Sequence, residues 1–199
     1  LCYKVVNRSE VTAMGSMNAH QFIVLEGIHG SGKTELGKLL AQEISGQYYT
    51  TPPEAFHPSR KEIDEKATLE ARFWFYLASV VQASHEIDKI LKTRNVVCDK
   101  YILSTVCYHK ALGLDIEVPQ WVTYINPDRT FLIYCDDDVR LRRLRASRGP
   151  IMDIEQHNLR QQMERRCLAE FRRRIHQEID NTSDGSQHAV DLMLATIRG

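Results

Sequence analysis

The chain has 199 residues, of which 43% are hydrophobic and 26% charged, and its formal net charge is zero. This length suits one domain with one sizeable core, and a neutral chain has no overall field that would draw it to nucleic acid or to a membrane. No apolar run approaches the roughly 18 residues that a transmembrane helix needs. Residues 1–20 lack the apolar stretch of a signal peptide. We expect them to be a disordered or non-native extension ahead of a domain at 21–199.

The five cysteines are scattered along the chain, and none forms a Cys-x-x-Cys pair. An odd number of cysteines without metal-ligand spacing is typical of reduced thiols in a cytoplasmic protein. We therefore expect a cytoplasmic location, and neither disulfides nor a zinc site.

Short apolar runs that are typical of buried strands alternate with longer amphipathic segments. The first predicted strand, Gln21–Leu25, precedes a glycine-rich loop and a helix from about Gly32 to Glu43. The elements predicted after it are a strand at 47–51, a short helix opened by a capping box at Ser59, a long helix at 68–92, a strand at 95–99, a helix from 102, a strand at 130–135, an arginine-rich helix capped by Asp137 or Asp138, a helix to about 175, a strand at 176–180 and a helix at 187–197.

Continuous apolar strands separated by helices are typical of a parallel sheet covered by helices on both faces. We therefore predict an α/β fold, a three-layer sandwich with a five-stranded parallel sheet and helices on both faces. Ligands of such sheets bind beyond the carboxyl ends of the strands. Two motifs of this chain are predicted to lie there, Gly27–Thr34 and Asp99–Tyr101.

The first motif, Gly27-Ile-His-Gly-Ser-Gly-Lys-Thr34, matches G-x-x-x-x-G-K-[ST] between a strand and an amphipathic helix, as that pattern requires. It predicts that the sandwich is the fold of P-loop NTPases. Its glycines let backbone N–H groups turn toward phosphate oxygens, and the helix start adds partial positive charge. Lys33 is placed to reach the outer phosphates, and Thr34 to ligate Mg²⁺. We predict binding of ATP and Mg²⁺ here, with the following residues contributing: Gly27, His29, Gly30, Ser31, Gly32, Lys33, Thr34 and Glu35.

The second motif is Asp99-Lys-Tyr-Ile-Leu-Ser104, with Tyr108 after it. It resembles the thymidylate kinase family of nucleoside monophosphate kinases, and the resemblance runs from about Gln21 to Asp180. The other stretches that carry it are Phe22–Gly27, Asn126–Leu132 and the arginine-rich run to Gly149. It implies an enzyme that uses ATP to convert a nucleoside monophosphate, dTMP-like, to the diphosphate. Homodimers occur in that family, so a homodimer is a further expectation.

The resemblance also implies roles for single residues on the acceptor side. Asp99 resembles the aspartate that helps to hold Mg²⁺ together with Thr34. Lys100 stands where the family usually has the arginine that grips the acceptor phosphate. Ser104 and Tyr108 resemble residues that line the deoxynucleoside pocket. Arg72, on the long helix, is also predicted to contact the acceptor.

An arginine-rich lid is expected at about 140–155. Residues 140–174 hold eleven arginines against four acids. Arg143, Arg145 and Arg148 resemble lid arginines that fold over ATP, and a planar, always charged guanidinium suits a transferring phosphoryl group. We predict that they act in catalysis with Lys33 and Asp99. For Arg160 and 172–174 we expect a solvated helix face, and without interleaved aromatic residues the run does not indicate nucleic-acid binding.

Several positions on the acceptor side depart from the family. His29 replaces an acid that holds the sugar 3′-hydroxyl, and Thr51-Pro52-Pro53 replaces Arg-Glu-Pro. Val81 and Gln82 stand where the long helix usually carries an Asp-Arg pair that recognises phosphate and base. These changes weaken the prediction of thymidylate as the acceptor more than the prediction of a kinase.

Three functions therefore stay open from the sequence. They are a nucleoside monophosphate kinase, a deoxynucleoside or other small-molecule kinase with a hydroxyl acceptor, and a non-catalytic nucleotide-binding regulatory protein. A hydroxyl acceptor needs a carboxylate as general base, which related deoxynucleoside kinases place just before a proline. That position is Pro52 here, and Glu54 is offset by two residues, although Asp99 could serve as the base instead. Lys100 in place of arginine also favours a hydroxyl acceptor, because lysine supplies charge without a bidentate contact. A monophosphate is already an anion near neutral pH, so the missing base favours the first function.

Overall fold

Five parallel strands form one sheet in the computed structural model, which describes residues 20–148, 154–183 and 185–199, with side chains except at 147–148 and 154–158. The strands are β1 (Phe22–Glu26), β2 (Gln47–Thr50), β3 (Val96–Asp99), β4 (Arg129–Tyr134) and β5 (Glu178–Asp180). Their order across the sheet is β2-β3-β1-β4-β5. The predicted α/β fold with a five-stranded parallel sheet is confirmed. The extension expected at 1–20 falls, up to residue 19, outside the described residues.

Helices follow each strand in this part of the chain. They are α1 (Lys33–Glu43), α2 (His57–Lys66), α3 (Leu69–Ile90), α4 (Ile102–Ala111), α5 (Asp137–Arg148), α6 (Ile154–Arg172) and α7 (Ser186–Arg198), with a 3₁₀ turn at Glu54–Phe56 leading into α2. Among the described helices, none is long and apolar enough to cross a membrane.

Two predicted helix caps are wrong. Helix α2 begins at His57, two residues before the expected cap at Ser59, and no side chain caps it. Pro58 lies in its first turn, where the fixed φ of proline and its missing N–H fit a helix start. Asp137 and Asp138 lie inside the first turn of α5 instead of capping it, so they favour the helix through their charge.

The sheet packs apolar side chains on both of its faces. In β1, Phe22 and Val24 join a core cluster with α3 and α4, whereas Ile23 and Leu25 join a second cluster with α1 and α7. Because successive side chains of a strand point to opposite faces, a strand covered on both sides must be apolar at nearly every position. The exception in β1 is its last residue, the fully buried Glu26.

The central position of β1 brings the two predicted motifs together. β1 pairs with β3 on one side and β4 on the other, and Leu25 is in register with Asp99. The loop that follows β1 therefore leaves the sheet beside the end of β3. This places Gly27–Thr34 and Asp99–Tyr101 at the same carboxyl edge.

A buried ion pair joins the arginine-rich helix α5 to α6. The side chains of Arg140 and Glu164 are each 2% exposed, and Nη1 of the arginine lies 2.6 Å from Oε2 of the glutamate. Arg140 Nε also lies 3.1 Å from Asp137, and Arg160 Nε lies 3.3 Å from the second oxygen of Glu164. These contacts fix α5 against α6.

We expect Arg140→Met to lower the free energy of unfolding by about 3–5 kcal/mol, because the Glu164 carboxylate would be left buried and without its main partner. Arg173→Met is the matched control, since it breaks an exposed pair with Glu170 and should cost less than about 1 kcal/mol. Urea denaturation followed by circular dichroism measures both changes. Equal costs for the two substitutions would contradict the role given to the buried pair.

Candidate active site

The phosphate loop is held in shape by a residue far away in the sequence. Gly32 has a left-handed backbone with φ of 93° at the start of α1, and a Cβ there would lie 2.2 Å from Asn181 Nδ2. Only glycine meets both conditions without strain. Asn181 follows β5, is 3% exposed and donates to the Ser31 carbonyl at 2.9 Å. It is not among the predicted site residues, because nothing in the loop motif indicates which later segment packs on it.

Lys33 is 5% exposed and lies within the loop. Its ammonium donates to the Ile28 carbonyl at 2.7 Å and to the Ser31 hydroxyl at 3.2 Å. Burial, and then the positive charge of Lys100, lower the pKa of Lys33 to about 8. A cation surrounded by the backbone of a glycine-rich loop is the arrangement that binds phosphate oxygens.

Asp99 and Thr34, the two predicted metal ligands, are in contact. The Thr34 hydroxyl donates to Asp99 Oδ2 at 2.7 Å, and the Tyr48 hydroxyl donates to the same oxygen at 3.1 Å. The other oxygen, Oδ1, is buried and has no hydrogen-bond partner. Mg²⁺ is commonly held by one or two carboxylates plus substrate phosphates and water, so these oxygens fit that ion. No cluster of three or more histidine, cysteine or acidic side chains suited to a metal occurs among the described residues.

A cavity of about 420 Å³ lies next to the loop, within the size range of small-molecule sites. Its walls come from the phosphate loop, the segments after β2 and β3, and the helices α2, α3, α4 and α6. It brings together His29 and all four residues predicted to contact the acceptor: Arg72, Lys100, Ser104 and Tyr108.

Lys100 has a strained backbone at the phosphate-loop end of this cavity. Its φ is 68°, a left-handed value that is uncommon for a residue other than glycine and often marks a functional site. Its N–H donates to the Leu25 carbonyl at 3.0 Å, and its own carbonyl accepts from the Thr51 hydroxyl at 3.2 Å. Its ammonium lies 5.9 Å from the centre of the Tyr108 ring, which in turn lies 5.6 Å from the ring of His29.

Glu26 links the phosphate loop to the start of α4. Its carboxylate accepts hydrogen bonds from the N–H groups of Tyr101 at 3.0 Å and Ser104 at 3.1 Å, and from the Ser104 hydroxyl. Burial raises its pKa to about 7, although these hydrogen bonds and Lys33 act in the opposite direction. Ser104 lines the cavity, but its hydroxyl is engaged with Glu26. Glu26 is not among the predicted site residues; the signal that could have indicated it is a lone acid at the end of an apolar strand.

Of the predicted lid arginines, Arg143 lies against the phosphate loop. Its Nη1 is buried without a hydrogen-bond partner and lies 3.4 Å from the place of a Cβ on Gly32. Arg145 is exposed on α5, and the side chain of Arg148 lies outside the described residues. Arg140, which was not predicted as a site residue, packs on Gly30, where an added Cβ would lie 2.9 Å from its Cγ.

Two other residues have contacts that the sequence did not indicate. Arg160 lies on an exposed helix face, as expected, but it also lines the cavity and contacts Glu164. The carboxylate of Glu35, predicted to help bind the nucleotide, accepts from the Ser186 hydroxyl at 2.7 Å at the start of α7.

Comparisons with known proteins agree on one family. The family model described as "Thymidylate kinase" matches residues 25–190. A probable thymidylate kinase of Methanocaldococcus jannaschii is 32% identical over 137 residues, which are 64% of this chain and 71% of that protein. The probable thymidylate kinase of Pyrococcus horikoshii is 31% identical over 156 residues, covering 67% of this chain and 74% of that protein.

Solved structures with the same fold include a thymidylate kinase and a deoxyadenosine kinase. The thymidylate kinase of Candida albicans superposes with a TM-score of 0.68 at 17% identity, covering 90% of this chain and 91% of that one. The deoxyadenosine kinase of M. mycoides superposes with a TM-score of 0.59 at 12% identity, covering 89% and 98%. At these identities the likeness shows the fold alone.

The buried Glu26 should make stability depend on pH. Its pKa rises from 4.5 to about 7 on folding, so the folded state binds this proton more tightly than the unfolded state does. Ionisation of Glu26 therefore lowers stability as pH rises through this window, by about 3 kcal/mol in all. Glu26→Gln cannot ionise and should remove this loss.

We expect the unfolding free energy of Glu26→Gln, relative to the native protein, to rise by about 3 kcal/mol between about pH 5 and pH 8. Urea denaturation at a series of pH values measures the difference. Burial lowers the pKa of His109, so the titration of this residue makes stability rise with pH. This contribution is the same in both proteins and cancels in the comparison. A difference that does not change with pH would contradict the assignment.

Proposed function

This chain belongs to the thymidylate kinase family, whose family model spans residues 25–190, and on that premise we propose that it transfers the γ-phosphoryl group of ATP to a dTMP-like nucleoside monophosphate. As a member of this family it is a nucleoside monophosphate kinase. The products are the nucleoside diphosphate and ADP. The observation that carries the proposal is the placement of Lys33 in the phosphate loop and Lys100 at the adjoining cavity, close enough for their charges to interact.

The phosphate loop supplies the donor half of the site. Phosphoryl transfer requires positioning and neutralisation of charge more than covalent chemistry from the protein. Lys33 and the backbone N–H groups at the start of α1 offer positive charge and hydrogen bonds to the phosphates. Arg143 lies over Gly32 with an Nη1 that lacks an acceptor, which supports its contact with a phosphate oxygen.

Mg²⁺, when bound, would neutralise negative charge on the phosphates of ATP during transfer to the acceptor. Asp99 and Thr34 would hold it, since their oxygens meet at the carboxyl edge of β3 and Asp99 keeps one oxygen without a partner.

The cavity supports a monophosphate acceptor better than a hydroxyl acceptor. Asp64 is the carboxylate among the described residues that line it, and it lies on α2, beside Tyr76 of α3, at the end of the cavity away from the phosphate loop, where it is not placed to act as a general base for phosphoryl transfer. Glu54, the offset candidate base, is exposed on its 3₁₀ turn. A monophosphate needs no base, and Lys100 offers it a positive charge. A homodimer and a cytoplasmic location stay predictions.

A coupled assay of ADP release, with dTMP and thymidine as separate acceptors, tests this function. We expect turnover with dTMP and none with thymidine; the reverse result would reject the monophosphate acceptor. Turnover with neither acceptor would favour a regulatory nucleotide-binding protein.

Lys33→Met should lower kcat with dTMP by at least about 100-fold, because the charge that faces the transferring group is lost while the shape of the side chain is kept. Lys38→Met is the matched control, since Lys38 lies on the same helix and is exposed. Its kcat should stay within about twofold of the native value. Retained activity in Lys33→Met would contradict the assignment of the loop.

Arg143→Ala should lower kcat by about 100-fold, the typical loss when one group that stabilises transition-state charge is removed. Arg142→Ala replaces the neighbouring exposed arginine on α5 and should leave kcat nearly unchanged. Steady-state kinetics with saturating dTMP compare the two variants. If both lose the same activity, the effect belongs to the net charge of α5 and not to contact with ATP.

A further inference from the structure

The far end of the cavity is formed by α2, the first turns of α3 and the last turn of α4. The His109 ring lies 5.4 Å from the Phe73 ring and 6.1 Å from the Tyr76 ring, so α3 and α4 meet there. Since an α-helix rises about 1.5 Å per residue, His109 lies roughly 10 Å along α4 from the helix start beside Lys100. This end would therefore face the part of the acceptor most remote from its phosphate.

A carboxylate between two guanidinium groups lines this end. Arg60 Nε lies 3.8 Å from Asp64 Oδ2, and Arg72 Nε lies 3.8 Å from Asp64 Oδ1. These separations are too long for hydrogen bonds, so each group keeps hydrogen-bonding capacity for a ligand. Arg72 Nε is in addition buried and without a hydrogen-bond partner. The Tyr76 hydroxyl donates to both oxygens of Asp64 and fixes the carboxylate in place.

We propose that Arg60, Asp64 and Arg72 recognise the base of the acceptor. The two guanidinium groups would donate hydrogen bonds and the carboxylate between them would accept one, which makes a donor–acceptor–donor series. This series complements the edge of thymine or uracil, on which an N–H group lies between two carbonyl oxygens. Cytosine has a ring acceptor at the central position, and guanine has two donors beside one acceptor, so neither matches. The inference rests on the proposed function, because it names the base of that same acceptor.

The position of this series explains how the chain can recognise a base without the pair that its family usually carries on the long helix. Gln82, which stands at that place, donates to Glu86 at 2.7 Å on the exposed side of α3. Arg60 and Asp64 come from α2 instead, and Arg72 from the start of α3. A polar group left unpaired by the wrong base is costly, so such a series selects strongly.

The test is the change in base preference on Asp64→Asn. Asparagine keeps the shape and can still accept the Tyr76 hydroxyl, but it can present an N–H₂ group to the ring acceptor of cytosine. Isothermal titration with dTMP, dUMP, dCMP and dGMP measures binding without requiring turnover. The native protein should bind dTMP and dUMP more tightly than dCMP and dGMP, and the preference for dTMP over dCMP should fall by about 10- to 100-fold in Asp64→Asn.

Tyr76→Phe is the matched control. It removes the hydroxyl that contacts Asp64 but leaves the carboxylate, so the preference for dTMP over dCMP should persist. Arg72→Leu provides a second variant, which leaves the Tyr76–Asp64 contact intact and should weaken dTMP more than dCMP. Thermal unfolding of each variant shows that the binding changes are measured on folded protein.

Equal weakening of dTMP and dCMP in Asp64→Asn, or a native protein that binds dCMP as tightly as dTMP, would overturn the proposal. Failure of the proposed function gives a different result, in which the native protein phosphorylates thymidine but no monophosphate. In that case the titrations use thymidine and deoxycytidine in place of the nucleotides. An unchanged preference for thymidine over deoxycytidine in Asp64→Asn would then overturn the proposal.

Discussion

The carboxylate of Glu26 joins the two halves of this site. It ends the central strand directly before the phosphate loop, and it accepts three hydrogen bonds from the first turn of α4. A fully buried carboxylate is tolerated only where such donors surround it. Since α4 carries Ser104 and Tyr108 into the cavity, these hydrogen bonds tie the proposed acceptor wall to the strand that precedes the phosphate loop, in addition to the apolar packing of α4.

The second constraint is the concentration of charge at the carboxyl edge of the sheet. Lys33, Lys100 and Asp99 interact through their charges at this edge, and repulsion by Lys100 contributes, after burial, to the lowered pKa of Lys33. Arg143 adds a further positive charge beside Gly32 of the loop. Native proteins leave few buried polar atoms without partners, and those that remain often belong to functional sites. Here Asp99 Oδ1 and Arg143 Nη1 are such atoms. Both would be satisfied by a metal-bound, anionic ligand, which agrees with a phosphoryl transferase.

The acceptor side combines family features with substitutions. His29 and Lys100 differ from the usual residues but still meet across the Tyr108 ring at the cavity wall. The polar end of the cavity is supplied by α2 and the start of α3, where Asp64 and Arg72 face each other. The proposed acceptor side therefore combines substituted family positions with polar side chains from α2 and the start of α3. The phosphate loop, on the donor side, keeps its sequence motif.

The sequence by itself determined the parallel α/β fold, the phosphate loop and Asp99 at the strand end, because continuous apolar strands and the glycine spacing are local signals. It could not show that Asn181 holds the loop, that Glu26 caps α4, or that Arg143 and not Arg145 lies on Gly32. Nor did it indicate Asp64, which lies on a short polar helix whose pattern resembles any solvated surface. Only the tertiary structure decided these contacts, because they join segments far apart in the chain, and a polar residue's sequence neighbours do not encode its distant partner.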